Sequence, residues 1–541
     1  MRDRRHVLIK MRSLALCIAT ALLALAAFGL LPSDTGVVPA AAAFSWGSTK
    51  VPAGGDLQAA LDAARPGDFI ELPVGATFTG NFILPNKTGG QWIIIYSSAL
   101  WRLPPPGAPL APDHANLMPK IVSPNSLPAI RTAAGAHHYL VVGVEVTTTS
   151  PADFTLVYLE SPGQTAVGQV PTDIILYRCY IHGTPTGDIR SGVALNGARL
   201  AVIGSYLSDF HHRTEDSQAI AGWNGPGPFT IVGNYLEAAG ENILFGGVDP
   251  TIPGLVPADI EIRGNRFFKP LSWREGDSSY AGIRWVVKNL FELKNARRVL
   301  VDGNIFENNW TQANQGGLAI LFTPRNQNGG ADWSTVQDVT FTHNIIRRST
   351  GGVYILGWDD IQPNNERTQR ILIQHNLFVD IGVFPDTVFD GFFTGMLFLV
   401  GDGPADLRID HNTVFQTGSP IYTQTQNHNV DRWPATGFIF TNNIMLNNQG
   451  VSGNGTGTPL GTLSAYFPDN VFSRNALVGG DAAEYPPDNF FPATLEAVGF
   501  MDYVGGDYRL APESPYRHMG TDGEDIGADI AALTAALLRW W

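Results

Sequence analysis

The chain has 541 residues and a formal net charge of −14; 16% of its residues are charged and 10% aromatic, with 59 Gly and 37 Pro. This turn-rich, weakly charged composition excludes a disordered chain and points to all-β rather than helical structure. There is no basic domain or tail to serve nucleic acid. Length alone suggests several domains, but a repeat architecture grows along one axis and escapes that count.

Residues 1–43 read as a leader. Arg2, Arg4, Arg5, Lys10 and Arg12 make a basic start, residues 14–31 are apolar, and four alanines at 40–43 suit cleavage after export. An uncleaved anchor is the alternative, because the apolar run is 18 residues long. Export leaves a secreted or periplasmic protein of charge −17, free of the membrane once the leader is removed, and a monomer is expected. Cys179 is then the only cysteine, so no intrachain disulfide forms.

The mature chain opens with Leu57-Gln58-Ala59-Ala60-Leu61, whose spacing predicts a short amphipathic helix. Pro66-Gly67-Asp68 ends it, and Phe69-Ile70-Glu71-Leu72 reads as a strand, so residues 51–72 form an N-terminal cap. Strands follow at 92–96 and 138–142. From residue 231 one unit recurs: Val232-Gly233-Asn234-Tyr235, Arg263-Gly264-Asn265-Arg266, Asp302-Gly303-Asn304-Ile305, Thr342-His343-Asn344-Ile345. It continues through Asn376, Asn412, Asn443 and Asn475, with steps of 31, 39, 40, 32, 36, 31 and 32 residues. Ser205 and Cys179 hold the same place in two earlier copies.

Short strands that cannot bury their own faces need a neighbour above and below. An Asn at the same corner of each coil is expected to take a left-handed backbone and to bond its neighbours as a ladder. Helical repeats and propeller blades share the period but need signatures that are absent. The expected fold is an all-β, right-handed parallel β-helix with a short N-terminal capping helix and a C-terminal cap at about 505–541.

The stretch 285–310 departs from the bland repeat. In an extended segment Lys288, Leu290, Glu292 and Lys294 share one face, while Asn289, Phe291, Leu293 and Asn295 share the other. The 39- and 40-residue steps place insertions at 269–282 and 327–335, loops expected to wall a binding face. They bring Trp273, Tyr280, Trp310 and Trp333 near one region, as sugar-stacking residues or as pins for their own loops. Residues 263–298 carry nine basic and three acidic side chains, including Lys288 and Arg297, so an anionic ligand is expected. Arg325 falls one coil beyond Lys294, at a spacing of about 4.8 Å.

The repeat resembles the right-handed parallel β-helix proteins that include pectate lyases, over roughly residues 51–530. Locally, Lys294-Asn295 and Arg325-Asn326 resemble the Lys-Ser and Arg-His-Gly of the chondroitinase B and alginate lyase kind, without the His-Gly. That resemblance implies β-elimination at a uronic acid in an anionic polysaccharide. Lys294 would be the base, its pKa lowered by neighbouring cations, and Arg325 would protonate or stabilise the leaving oxygen. Calcium held by Glu292, Glu241 and Asn242 would neutralise the substrate carboxylate. The alternative for Glu292 is a structural pair with Lys288 or Lys294. His211-His212 makes a poor ligand pair, because neighbours in an extended segment diverge, so His212 is read as the groove's edge. Trp358-Asp359-Asp360 faintly resembles the paired acids of β-helix glycoside hydrolases. A glycan-binding β-helix without turnover and a glycoside hydrolase are the other function classes that fit.

Overall fold

A computed structural model describes residues 47–362, 364–425 and 434–539. The leader expected at 1–43 lies outside the described residues. Three parallel sheets of 14, 13 and 12 strands run the length of the molecule, and each coil gives one strand to each sheet. One coil shows the plan: Ala296–Asp302 enters the 14-stranded sheet, Ile305–Asn309 the 13-stranded sheet and Leu318–Phe322 the 12-stranded sheet. The fold is a right-handed parallel β-helix.

Period-two alternation fills the bore. Phe267 and Phe306 stack on successive coils of the 13-stranded sheet at a centroid distance of 4.2 Å, and Phe341 of the 14-stranded sheet meets Phe306 at 5.6 Å. Each is fully buried, and such burial stabilises by about 2–3 kcal/mol per ring. The helix Leu57–Ala63 caps one end, with the Asp56 carboxylate accepting the Ala59 N–H at 2.9 Å. Its Leu57 and Leu61 belong to the bore's apolar core. Leu463 and Tyr466 of the helix Pro459–Tyr466, together with Phe467, meet the core at the other end.

The expected cap at 505–541 packs elsewhere. Its described part lies on the outside of the 13-stranded sheet, where Leu533 of the helix Ile530–Leu538 meets Leu377 and Phe415. These outward side chains are apolar, and the C-terminal segment is what covers them.

The corner between the 14- and 13-stranded sheets holds the asparagine ladder. The Asn265 N–H donates to Asn304 Oδ1 at 2.8 Å, the Asn304 N–H to Asn344 Oδ1 at 2.9 Å, and the series runs on to Asn489. Ser205 and Cys179 continue it downward as expected: the Cys179 N–H donates to Ser205 Oγ at 3.0 Å and the Ser205 N–H to Asn234 Oδ1 at 2.8 Å. One detail differs. The left-handed residue is the one before each Asn, with φ of 66° at Gly303, 52° at His343 and 54° at His375. That turn leaves the Asn side chain pointing inward, where its amide bridges two coils.

Candidate active-site groove

The two insertions stand on opposite edges of the 12-stranded sheet. Residues 269–282 precede the strand Phe291–Leu293, and 327–335 follow the strand Leu318–Phe322. Asn295 ties the second edge together: its Oδ1 accepts from the Thr335 N–H at 3.2 Å and its Nδ2 donates to Leu255 O at 3.2 Å. Asp249 Oδ2 accepts from the Asn328 and Gly330 N–H groups at 3.1 and 3.0 Å. The sheet face between these walls, running along the helix axis, is the candidate groove.

On its floor, Glu292 lies in register between Leu244 and Leu321. Thr323 Oγ1 donates to Glu292 Oε1 at 2.7 Å, and Lys294 Nζ stands 3.8 Å from the same oxygen. The Arg325 N–H donates to Lys294 O at 2.8 Å, so the two expected functional residues sit on adjacent coils at one edge. Lys294 has glycine backbone packed closely beside it. Gly246, on the preceding coil, has φ 93°, and an added Cβ would lie 2.5 Å from the Asn295 nitrogen. Next to it, Gly247 has φ 79°.

Each cation meets carboxylates. Lys288 Nζ contacts Asp216 Oδ2 at 2.8 Å and Glu241 Oε1 at 3.1 Å. Burial alone would lower the Lys288 pKa, but Glu241, Asp216 and Glu292 push it above the ordinary lysine value. Glu241 shows the converse: burial opposes its ionisation, yet Lys288 and Lys294 hold its carboxyl well below the usual range. The Arg325 guanidinium bonds Asp359 Oδ1 at 2.8 Å and also contacts Asp360. Asp359 is held low despite burial by the N–H groups of Ile361 and Asn326 and by Arg325. The cluster therefore has three cations, Lys288, Lys294 and Arg325, against five carboxylates, Asp216, Glu241, Glu292, Asp359 and Asp360. The nearest charged contact of Lys294 is an acid, where a cation was expected.

Other expectations are corrected by packing. The alternation breaks at 290–291, since Leu290 and Phe291 both enter the core. Lys288 thus reaches the cluster from the corner, while Glu292 and Lys294 reach it from the sheet. Trp273 and Trp310 are buried with Trp285, Val287 and Phe384, so they pin the insertion rather than face a ligand. Tyr280 is half-buried in the same insertion, its N–H donating to Asp277 O at 3.0 Å. Arg297 is exposed on the 14-stranded sheet, beside Ala258 and Gln337, away from the groove. The run of basic residues disperses as well: Arg263 pairs with Glu261, Arg266 with Glu307 and Arg298 with Asp259. Alternating side chains on three sheets face three directions, so a charge run in sequence makes no patch.

His212, expected at the groove's edge, caps its own loop: its Nδ1 accepts from the Thr214 and Glu215 N–H groups at 3.1 and 2.9 Å. Its neighbour His211 is stacked on Trp285 at 3.8 Å, and burial pushes its pKa down to about 4.

The side chains expected to hold calcium have protein partners in this structure. Asn242 Nδ2 donates to Leu236 O and Phe268 O at 2.7 and 3.0 Å, and its Oδ1 accepts from Lys269 Nζ at 3.3 Å. Glu241 is shared by Lys288 and Gln218, which donates at 2.8 Å. Among the described residues no group of three or more His, Cys, Asp or Glu side chains is placed to hold a metal ion. Lys269 itself is enclosed by the carbonyls of Ala238, Ala239 and Gly240 at 2.6–2.9 Å, and burial pushes its pKa down to about 7.

Sequence reading gave Asp216, Gln218 and Thr323 no part in the site, and it saw in Asp359 and Asp360 only a faint resemblance to hydrolase acids, whereas the structure pairs both with Arg325. The available signal was register. Gln218 and Glu241 lie opposite each other on adjacent coils, at the same offset from Ile220 and Ile243.

No family model and no curated protein matches the chain. Among solved structures, it is similar to the pectate lyase Pel9A, with 12% identity, TM-score 0.34, 89% of this chain and 94% of that one covered. A PL6 alginate lyase in complex with a trisaccharide gives 10% identity, TM-score 0.39 and coverage of 84% and 97%. The tailspike of E. coli bacteriophage HK620 gives 11%, 0.39, and 83% and 76%.

Proposed function

We propose that the chain is an exported, carbohydrate-active β-helix protein that cleaves a uronate-containing polysaccharide by β-elimination in this groove. The observation that carries the reading is Lys294 beside Arg325 on adjacent coils, with Lys294 the least tied cation and glycine backbone at its side. The basic start and apolar run of residues 1–43 support export.

In the reaction Lys294, acting as the base, takes the C5 proton of the uronate. The C5–H electron pair becomes the C4=C5 double bond, the C4–O bond breaks, and the leaving oxygen takes a proton from water. Lys294 then returns its proton to solvent. Arg325 stays charged, so its part is to stabilise developing negative charge rather than to donate a proton. Lys288, held positive by its carboxylates, is a second fixed cation near the substrate carboxylate. No step is routed through calcium.

The test is incubation of the exported protein with pectate, alginate and glycosaminoglycans, with and without calcium, following the absorbance of unsaturated uronate. Turnover by the wild type and none by Lys294→Ala is the expected result; no absorbance on any of these glycans sinks the mechanism. A second reading, glycan binding without turnover, is favoured by the excess of carboxylates over cations and predicts retention without product. Saturated product ends would indicate a glycoside hydrolase.

A further inference from the structure

Three tryptophans of this protein, Trp273, Trp285 and Trp310, are buried in one loop cluster. Trp223 is different. It is half-buried, and it stands on the groove face of the 12-stranded sheet. The strand Gln218–Gly222 pairs Gly222 with Phe245, and Phe245 pairs with Leu293. Trp223, Gly246 and Lys294 therefore occupy the same position on three successive coils. Two coil steps separate Trp223 from Lys294, roughly 10 Å at the usual strand spacing. Between them Gly246 has no side chain, so none stands between the indole and Lys294 in this column.

The Trp223 loop is fixed from below. Asn196 Oδ1 accepts from the Trp223 and Asn224 N–H groups, both at 2.9 Å, and Asn196 Nδ2 donates to Glu160 Oε2 at 2.7 Å. Gln164 Nε2 bonds the carbonyls of Asn196 and Asn224 at 2.8 and 2.7 Å. All three amide side chains are buried, at 0–2% exposure. This buried amide network fixes the backbone that carries Trp223, whose side chain is left half open to solvent. Tyr158, also half-buried and three coils before Leu244 in the Glu292 column, places its ring 6.4 Å from that of Trp223.

We propose that Trp223, with Tyr158 and Glu160, forms a sugar-binding subsite that receives a pyranose unit of the glycan chain on the Gly246 side of Lys294. Rigid, half-exposed aromatic rings beside a carboxylate give a sugar its apolar face and its hydrogen-bond partners together. A linked pyranose chain advances by close to one coil spacing per unit. A chain lying along the axis thus has one unit at Trp223 when a later unit is at Lys294. This rests on the groove reading above but not on the chemistry at Lys294.

The test measures binding and turnover separately, with size-graded oligogalacturonate, oligomannuronate and neutral xylo-oligosaccharide ladders. Trp223→Ala is expected to weaken binding of the longer oligomers at least tenfold while leaving dimers unchanged, with Trp223→Phe intermediate. Wild-type affinity in Trp223→Ala at every length overturns the subsite, as does absence of wild-type binding to all three ladders. Length-dependent loss in Trp223→Ala without wild-type turnover upholds the subsite and removes the lyase mechanism. A melting curve of Trp223→Phe that matches the wild type shows that the loss is not one of folding.

Discussion

Asn304→Ala is the sharpest test of how the coils are joined. The Asn304 side chain makes five hydrogen bonds: Oδ1 accepts from Asn265 N and Nδ2, and Nδ2 donates to Ile262 O, Asp302 O and Asn344 Oδ1. It is fully buried. Alanine leaves the Asn265 N–H and one Asn265 amide hydrogen without an acceptor. Two orphaned donors at about 2 kcal/mol each give a loss of about 4 kcal/mol. Serine is the informative control, because Ser205 already serves in the ladder: its Oγ accepts from the Cys179 N–H and donates to Ile203 O at 3.1 Å. Asn304→Ser should recover the first donor and cost about 2 kcal/mol. Urea unfolding followed by circular dichroism gives the difference, with the unfolding rate as a second readout because long parallel sheets refold slowly. Alanine and serine variants within about 0.5 kcal/mol of each other would refute the ladder as an energetic element.

Two further outcomes follow from charge. His343, His375 and His411 stack on successive coils at 5.6 and 5.0 Å, faced by Asp302, Asp410 and Arg408 from the sheets and by Asp522 and Asp529 from the C-terminal segment. Burial, with His411 and His343 beside it, pushes His375 down to about 4 from 6.5. A depressed histidine contributes stability that is present above pH 6.5 and lost as pH falls toward 4, at most about 3 kcal/mol here. His375→Asn, which suits the left-handed backbone as Asn442 does at φ 60°, should flatten the melting temperature over that window; an unchanged pH profile would refute the assignment. Arg325→Ala leaves Asp359 and Asp360 without their shared guanidinium and should cost about 3 kcal/mol, and Arg325→Lys should recover only part, since one ammonium replaces a fork. Thermal melts of both variants check this, and an Arg325→Ala melt equal to wild type would show that the pair is not structural.

The fold was legible because its signal is one-dimensional. Asn234 through Asn475 recur at a fixed corner, and the apolar residues beside them alternate, so coil after coil could be counted. Lys294 and Arg325 were legible for the same reason, one coil apart. What each cation meets was not. Lys288 finds Asp216, 72 residues away, and Arg325 finds Asp359, 34 residues away, through register and loop path. The nine basic residues of 263–298 misled because sequence neighbours in a three-faced coil point away from one another. Trp310 misled because a large apolar ring in a long loop folds the loop before it meets a ligand.

The asparagine corner has a consequence for how such a molecule changes over generations. Its hydrogen bonds close in the same way whether 31 or 40 residues separate successive members. The added chain entropy of the longer coil is only about 0.2 kcal/mol. The corner therefore acts as a fixed joint: material inserted at the other two corners leaves every ladder bond in place. Such a frame can take on new groove walls at almost no thermodynamic cost, as the insertions at 269–282 and 327–335 beside the same sheet illustrate.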